Sequence, residues 1–215
     1  MPVALATPPT SPLFRVAHAP DPLAWPDWRF VGGSRFDDPQ DRFRVLYLAE
    51  QRVGCFIESL ARFRPDLDLL ARLAAVTGTT APLPVPVVPA DWYTRRRVGT
   101  LRLLPGQRWL DLRAAETLQA LRSEMAATLV SLGLPDFDVS AARGPSRDLT
   151  RHVARWAFER DFQGVAYRSR FADDLDCWVV FEGAAISPAG PAEAIVPDDV
   201  DLLAAAELFG LTIEP

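Results

Sequence analysis

Glu58 is the residue with the clearest setting for chemistry in this chain. It lies in residues 31–63, where a Gly-Gly pair (Gly32, Gly33) leads into Ser34, Arg35 and Phe36 and then an acidic, Pro-broken loop. A β-type run from Phe43 to Leu48 follows, with Tyr47 near its end, and then a helical pattern from about Ala49 to Phe63. Ala49, Val53, Phe56, Leu60 and Phe63 recur every three or four residues and form one apolar stripe. At about 100° per residue, Glu58 falls roughly opposite that stripe, with Gly54, Cys55 and Ala61 as one-turn neighbours. Small neighbours leave room for approach to a carboxylate, which can serve as a base or stand beside developing positive charge. The same spacing also fits a solvated Glu paired with Arg62 four residues on, and on spacing alone that is the commoner use.

Taken with their flanks, these residues resemble the RES toxin domain family, named for its Arg, Glu and Ser. The resemblance rests on Gly32-Gly33, Arg35, the run Val45-Leu46-Tyr47-Leu48-Ala49, and Glu58 eleven residues after Tyr47. Upstream, Leu13-Phe14-Arg15-Val16 is similar to the family's opening strand, and downstream Tyr167-Arg168-Ser169 falls where the family's Ser does. The likeness spans residues 13 to about 182. The chain departs from the commoner Gly-Gly-Arg-Trp-Asn pattern: Ser34 is inserted, Phe36 replaces Trp, Asp37 replaces Asn, and the Ser sits in a Tyr-Arg-Ser-Arg run.

The resemblance implies a fold like that of ADP-ribosyltransferase toxins. That is an α+β single domain of mixed and antiparallel strands with packed helices, over residues 13–215, behind a flexible N-terminus at 1–12. It implies NAD+ as substrate, cut at the nicotinamide–ribose bond by hydrolysis or phosphorolysis, with no metal. Transfer of ADP-ribose to a cellular target uses the same residues, and an inactive nucleotide- or partner-binding module is the reading from outside enzymology. The implied catalytic set is Glu58, Arg35 and Ser169, and the implied binding set is Arg15, Arg35, Phe36, Tyr47 and Ser169.

Those residue types suit the reaction. Nicotinamide leaves as a neutral base, and the oxocarbenium-like ribose left behind requires a nearby negative charge, the role of Glu58. Guanidinium forks match a diphosphate, the role of Arg35 first and Arg15 second. Tyr47 offers a ring to nicotinamide or a hydroxyl to ribose or phosphate, Phe36 an apolar wall, and Ser169 a small donor. Without a ligand, Arg15 and Arg35 can instead pair with Asp37, Asp38 or Asp41, Tyr47 can serve as core, and Ser169 can close a turn. The family also implies an Xre-like helix-turn-helix antitoxin that covers the cleft and supplies DNA binding; self-association is left open.

Composition narrows the alternatives. The 215 residues are 49% hydrophobic, enough for one domain with a real core. A net charge of −5 argues against direct nucleic-acid binding. Cys55 and Cys177 make neither a disulfide framework nor a zinc site and read as small buried hydrophobes. His18 and His152 lack partners at metal-ligand spacing, and Asp173, Asp174 and Asp176 lack the glycine and glutamate of a calcium loop. There is no secretory pattern at the start and no run of 18 apolar residues, so the expectation is a cytoplasmic chain without membrane spans.

The remaining elements read as follows. Leu13–Ala17 is a strand, 19–30 an aromatic loop, and Asp66 caps a helix to about Val76 that Gly78 ends. Residues 81–89 form an extended connector, Val98–Leu104 a strand and Trp109–Leu112 its expected partner after the Pro105-Gly106 turn. Ala114–Leu132 reads as one long helix, 134–146 as loop, and Ser146 or Asp148 to Phe162 as another helix. Strands at Val165–Ser169 and Cys177–Phe181, a helix at Val200–Phe209 and a terminal strand at Leu211–Ile213 complete the pattern. Gly32-Gly33 precedes a strand, so no Rossmann-type phosphate cradle is expected.

Overall fold

Period-two alternation in the strands becomes, in a computed structural model that describes residues 2–78 and 85–215, a sheet with helices laid on one face. The first half of the chain contains β1 (Leu13–His18), β2 (Val45–Ala49), α1 (Arg52–Leu60), α2 (Leu67–Thr77), β3 (Val87–Val88), α3 (Ala90–Thr94), β4 (Arg96–Leu103) and β5 (Trp109–Asp111). The second half contains α4 (Ala115–Glu124), α5 (Ala126–Ser131), α6 (Val139–Arg143), α7 (Asp148–Phe158), β6 (Gly164–Arg168), β7 (Asp176–Phe181), β8 (Ile186–Pro188), β9 (Glu193–Ala194), α8 (Val200–Phe209) and β10 (Thr212–Ile213).

Among the described residues the main sheet runs β5-β6-β7-β2-β1-β4-β8, with β9 also on β4. Its pairs are antiparallel except β5–β6, and β3 and β10 form a separate parallel pair. This is the expected α+β arrangement with mixed strands. Val45, Ala49, Val98, Val165, Tyr167, Cys177, Val179 and Phe181 face the larger core, covered by α1, α4, α7 and α8 through Phe56, Leu60, Leu121, Val153 and Leu202. Leu13, Leu46, Leu48, Leu101, Trp178 and Val180 face a smaller core that holds Ala6, Trp109 and, at its rim, Leu23 and Trp25. Burying side chains of this size contributes about 1.5–3 kcal/mol each.

The expected hairpin between the strand at 98–104 and Trp109–Leu112 does not form. β5 pairs in parallel with β6 at the far edge of the sheet, with Trp109 opposite Gly164. Leu103 and Trp109 are joined by at most about 20 Å of chain, while their strands are separated by steps of about 4.8 Å through β1, β2, β7 and β6. The short link therefore limits how flat the sheet can lie, and Leu101 and Trp109 share the smaller core. Gly164 fits this edge because a Cβ there would lie 2.0 Å from the Val179 carbonyl oxygen and 2.8 Å from the Trp109 ring.

Several boundaries differ. The single helix expected over 114–132 is divided at Met125, whose backbone (φ −107°, ψ 18°) leaves the helical region. The loop at 134–146 contains the short α6, capped by the Asp138 carboxylate on the Ala141 N–H at 2.7 Å. α1 begins at Arg52 instead of Ala49, because Ala49 pairs with Cys177 as the last residue of β2. The aromatic stretch 19–30 leaves Trp28 and Phe30 exposed. Of the connector at 81–89, residues 81–84 lie outside the described residues. The first twelve residues place Ala4 and Ala6 against β5, through the Ala6 N–H on the Trp109 carbonyl (2.9 Å) and the Asp111 N–H on the Ala4 carbonyl (3.1 Å).

Candidate functional site

α1 carries Glu58, and two contacts hold the helix in place. Its apolar residues Phe56, Ile57 and Leu60 enter the larger core. At its first turn Arg52 donates to both carboxylate oxygens of Asp199, the N-cap of α8, and to Asp201, at 2.7–2.9 Å. The small neighbours of Glu58 serve packing more than access: a Cβ at Gly54 would lie 3.1 Å from Ala49 Cβ and 3.5 Å from Leu175, and Cys55 is buried.

Glu58 makes no ion pair with Arg62 among the described residues. α1 ends at Leu60 and a 3-10 turn, Ala61–Phe63, follows, while the carboxylate meets the end of β6. There the Ser169 hydroxyl donates to Glu58 Oε1 at 2.6 Å and accepts from the Phe171 N–H at 3.0 Å. The Ser169 N–H donates to the Leu175 carbonyl, so the loop between β6 and β7 fixes this side chain, which is wholly buried. Within the described residues no hydrogen bond reaches Glu58 Oε2, so one oxygen is anchored and the other is available. Burial raises the Glu58 pKa above its ordinary value, against the lowering influence of the Ser169 hydrogen bond and the charges of Arg35 and Arg170.

Arg35 reaches the same neighbourhood electrostatically, yet its fork is committed elsewhere. It donates to the carbonyls of Ala142 (2.9 Å), Arg143 (3.3 Å) and Gly144 (2.6 Å), capping the C-terminal end of α6. Its own carbonyl accepts from Thr150 at 2.6 Å. Burial lowers its pKa. The expected alternative, pairing with Asp37, Asp38 or Asp41, does not occur. Asp37 instead accepts from the Gly32 N–H (3.0 Å), the Ser34 N–H (2.7 Å) and the Tyr47 hydroxyl (3.1 Å).

Tyr47 closes the same loop. Its hydroxyl also accepts from the Phe36 N–H at 2.8 Å, and burial together with the Asp37 charge pushes its pKa well up, so it stays protonated. Both of its polar functions are answered by protein, leaving the ring as its free surface. Phe36, expected as a wall of the site, is wholly buried and packs against Tyr167 at 4.7 Å between centroids. It backs the site without lining it.

Arg15 is not brought to Glu58. Alternation along β1 puts Arg15 on the side of Leu13, which belongs to the smaller core, whereas Phe14 and Val16 pack toward the larger core and α1. Its guanidinium donates to the Pro22 carbonyl (2.9 Å) and the Tyr47 carbonyl (3.2 Å), and burial lowers its pKa to about 10. Arg15 ties the 20–23 loop to the sheet.

Two residues absent from the sequence-based set belong here. Tyr167 lies beside the Glu58 and Arg35 charges and next to Tyr47, with its pKa pushed well up by burial. Its signal was present: Val165, Tyr167 and Ser169 share one face of a strand. Arg170 follows Ser169 and acts electrostatically on both Glu58 and Arg35; no periodicity marks it. Among the described residues no cluster of three His, Cys, Asp or Glu side chains is placed to hold a metal ion, and no helix is long and apolar enough to cross a membrane.

Comparison with known proteins places the chain in a family. A family model described as the RES domain matches residues 12–201. The chain belongs to the RES domain family. Its fold is similar to a chain in the crystal structure of the M. tuberculosis MbcT–MbcA toxin–antitoxin complex. The TM-score is 0.55 at 17% identity, over 95% of this chain and 91% of that one, a likeness of fold. No curated protein matches this RES domain chain. Of the three residues expected from the resemblance as the family's Arg, Glu and Ser, two meet in the structure. Glu58 and Ser169 are in direct contact, and Arg35 stands in the same electrostatic neighbourhood.

Proposed function

We propose that this chain is the toxin of a toxin–antitoxin pair and that it destroys NAD+ by cleaving the nicotinamide–ribose bond. The observation that carries this reading is the Glu58 carboxylate: mostly buried, fixed through Oε1 by Ser169, open at Oε2, and flanked by the positive charges of Arg35 and Arg170.

In that reaction the C–N bond breaks with its electron pair on nicotinamide, and ribose takes up positive character. An ionised Glu58, held in a low-dielectric corner, favours that charge more than it favours the neutral sugar. Its free Oε2 accepts from a ribose hydroxyl or from the water or phosphate that attacks, whose proton is released as the new C–O bond forms. Ser169 and Arg35 are positioning residues: one holds the carboxylate, and the other holds the 142–144 segment and lends positive charge. The rings of Tyr47 and Tyr167 supply an apolar side to the site. On this reading Ser169, Arg35 and Tyr47 support the site from behind the carboxylate.

Likeness of fold to a chain of a toxin–antitoxin complex supports an antitoxin partner, and the partner that the resemblance implies is an Xre-like helix-turn-helix antitoxin. Purified chain incubated with NAD+ is expected to release nicotinamide, and Glu58→Gln to lower release by about 10²–10³-fold. Absence of release by the wild type with either water or phosphate as acceptor would refute the reading. Retention of labelled ADP-ribose on a discrete target would redirect it to transfer.

A further inference from the structure

The two arginines first expected to grip the diphosphate have their forks occupied by backbone carbonyls, which leaves the anionic part of the ligand without an obvious holder. The chain has 23 basic residues, all arginine. Within the described residues, only Arg62, Arg64, Arg102 and Arg170 have guanidiniums with neither a carboxylate nor a carbonyl partner. Two of these four meet at one place. Arg64 lies over the Phe171 ring at 5.7 Å and over the Phe209 ring at 5.2 Å, and Arg170 lies over the Phe171 ring at 5.4 Å.

Arg64, Arg170, Phe171, Leu208 and Phe209 line a shallow depression. Phe171 and Phe209 stand edge to face, 5.3 Å apart, and hold the two cations over fixed apolar surface. Like charges sharing one ring repel each other, an arrangement that an anion between them relieves. The place adjoins the carboxylate: Arg170 follows Ser169 directly, its charge acts on Glu58, and the Phe171 N–H donates to the hydroxyl that holds Glu58. In a chain of net charge −5, an unpaired basic pair beside the site is the local attraction that a polyanionic ligand requires.

We propose that Arg64 and Arg170, on the faces of Phe171 and Phe209, form the subsite that takes the phosphate groups of the ligand whose sugar lies at Glu58. The ligand class is a phosphate or diphosphate ester, and the place of its sugar rests on the reading of Glu58 given above. Guanidinium forks with all donors free suit phosphate oxygens bidentately. Arg35 and Arg15 then serve the frame and the pair serves the ligand.

Calorimetric titration of the full chain with ADP-ribose, pyrophosphate and inorganic phosphate at low ionic strength tests this, in the wild type, R64Q, R170Q and the double variant. The wild type is expected to bind ADP-ribose. Each single variant should weaken that binding about tenfold and the double variant about a hundredfold, with melting temperatures close to wild type because both side chains are exposed. Weakening confined to ADP-ribose and pyrophosphate assigns the subsite to the ligand's own diphosphate; weakening of inorganic phosphate as well assigns it to a phosphate acceptor. Equal affinities in wild type and both single variants, or no binding of any of the three anions by the wild type, overturn the proposal. The subsite stands even in a chain that releases no nicotinamide, provided the pair governs ADP-ribose affinity. Nicotinamide release without such dependence leaves the reaction standing and removes the subsite.

Discussion

The loop at 32–38 and the corner formed by Arg64 and residues 169–171 each contribute an arginine whose charge acts on Glu58, Arg35 and Arg170, and they differ in what answers their arginines. In the loop, the donors of Arg35 meet three carbonyls, Tyr47 is bonded on both sides, Asp37 accepts three hydrogen bonds, and the buried Asp38 carboxylate pairs with Arg155. At the corner, two guanidiniums rest on aromatic rings with their donors unanswered by protein. Satisfied polar groups build a rigid frame, whereas unsatisfied exposed ones remain available to a ligand. Glu58 lies between the two regimes, with one oxygen held by Ser169 and the other open.

Removing the charge at the junction should give the largest effect. Glu58→Gln keeps the shape and an acceptor for Ser169, and is expected to lower nicotinamide release by about 10²–10³-fold, the loss typical for one preorganised electrostatic contact. A progress curve at matched enzyme concentration reads it.

The two kinds of arginine should then separate by stability. Arg35→Ala orphans the carbonyls at the end of α6 and is expected to cost about 2–3 kcal/mol, whereas Arg64→Gln and Arg170→Gln should stay within about 0.5 kcal/mol of wild type. Urea melts of the three variants make the comparison, and a large loss at the corner with none at Arg35 would reverse it. Tyr47→Phe tests the loop more gently: Asp37 and the Phe36 N–H each lose a partner, for about 1–2 kcal/mol, with m unchanged.

The smallest effect is on pH dependence. The folded-state pKa of Glu58 is raised by burial, so the folded chain binds its proton more tightly than the unfolded chain. The stabilisation from the neutral carboxyl is complete below the unfolded value of about 4.3 and is lost as pH rises through the higher folded value. Glu58→Gln does not titrate, so its melting temperature should match or trail wild type in acid and gain on it by a few degrees toward neutral pH. The acid limb of nicotinamide release in the wild type should likewise lie above the ordinary carboxylate range, because the ionised form does the work.

Much of the frame was legible locally. Asp66 caps α2 through the Asp68 and Leu69 N–H groups, and Gly78 ends it in the left-handed region. Gly210 likewise ends α8, and the continuous apolar run at 177–181 is a strand buried on both faces. These depend on capping, backbone freedom and burial over a few neighbouring residues. The pairing of Trp109–Asp111 was not legible, because its partner, β6, lies more than fifty residues away in the chain and local turn signals do not select it. The break at Met125 was also hidden, since the helical pattern continues through it.

For the site, residue types and order along the chain singled out Arg35, Glu58 and Ser169 as candidates, and period-two spacing from Ser169 reaches Tyr167. What each side chain does was decided by tertiary structure. Which face of β1 receives helices sent Arg15 to the smaller core. Carbonyls of residues 142–144, more than a hundred positions from Arg35, absorbed its fork. Arg64 and Arg170 gained their setting only when two distant phenylalanines met. Sequence fixes charge, shape and local conformation; whether a polar group is satisfied depends on which remote partners the fold delivers, and that selects the groups left free for a ligand.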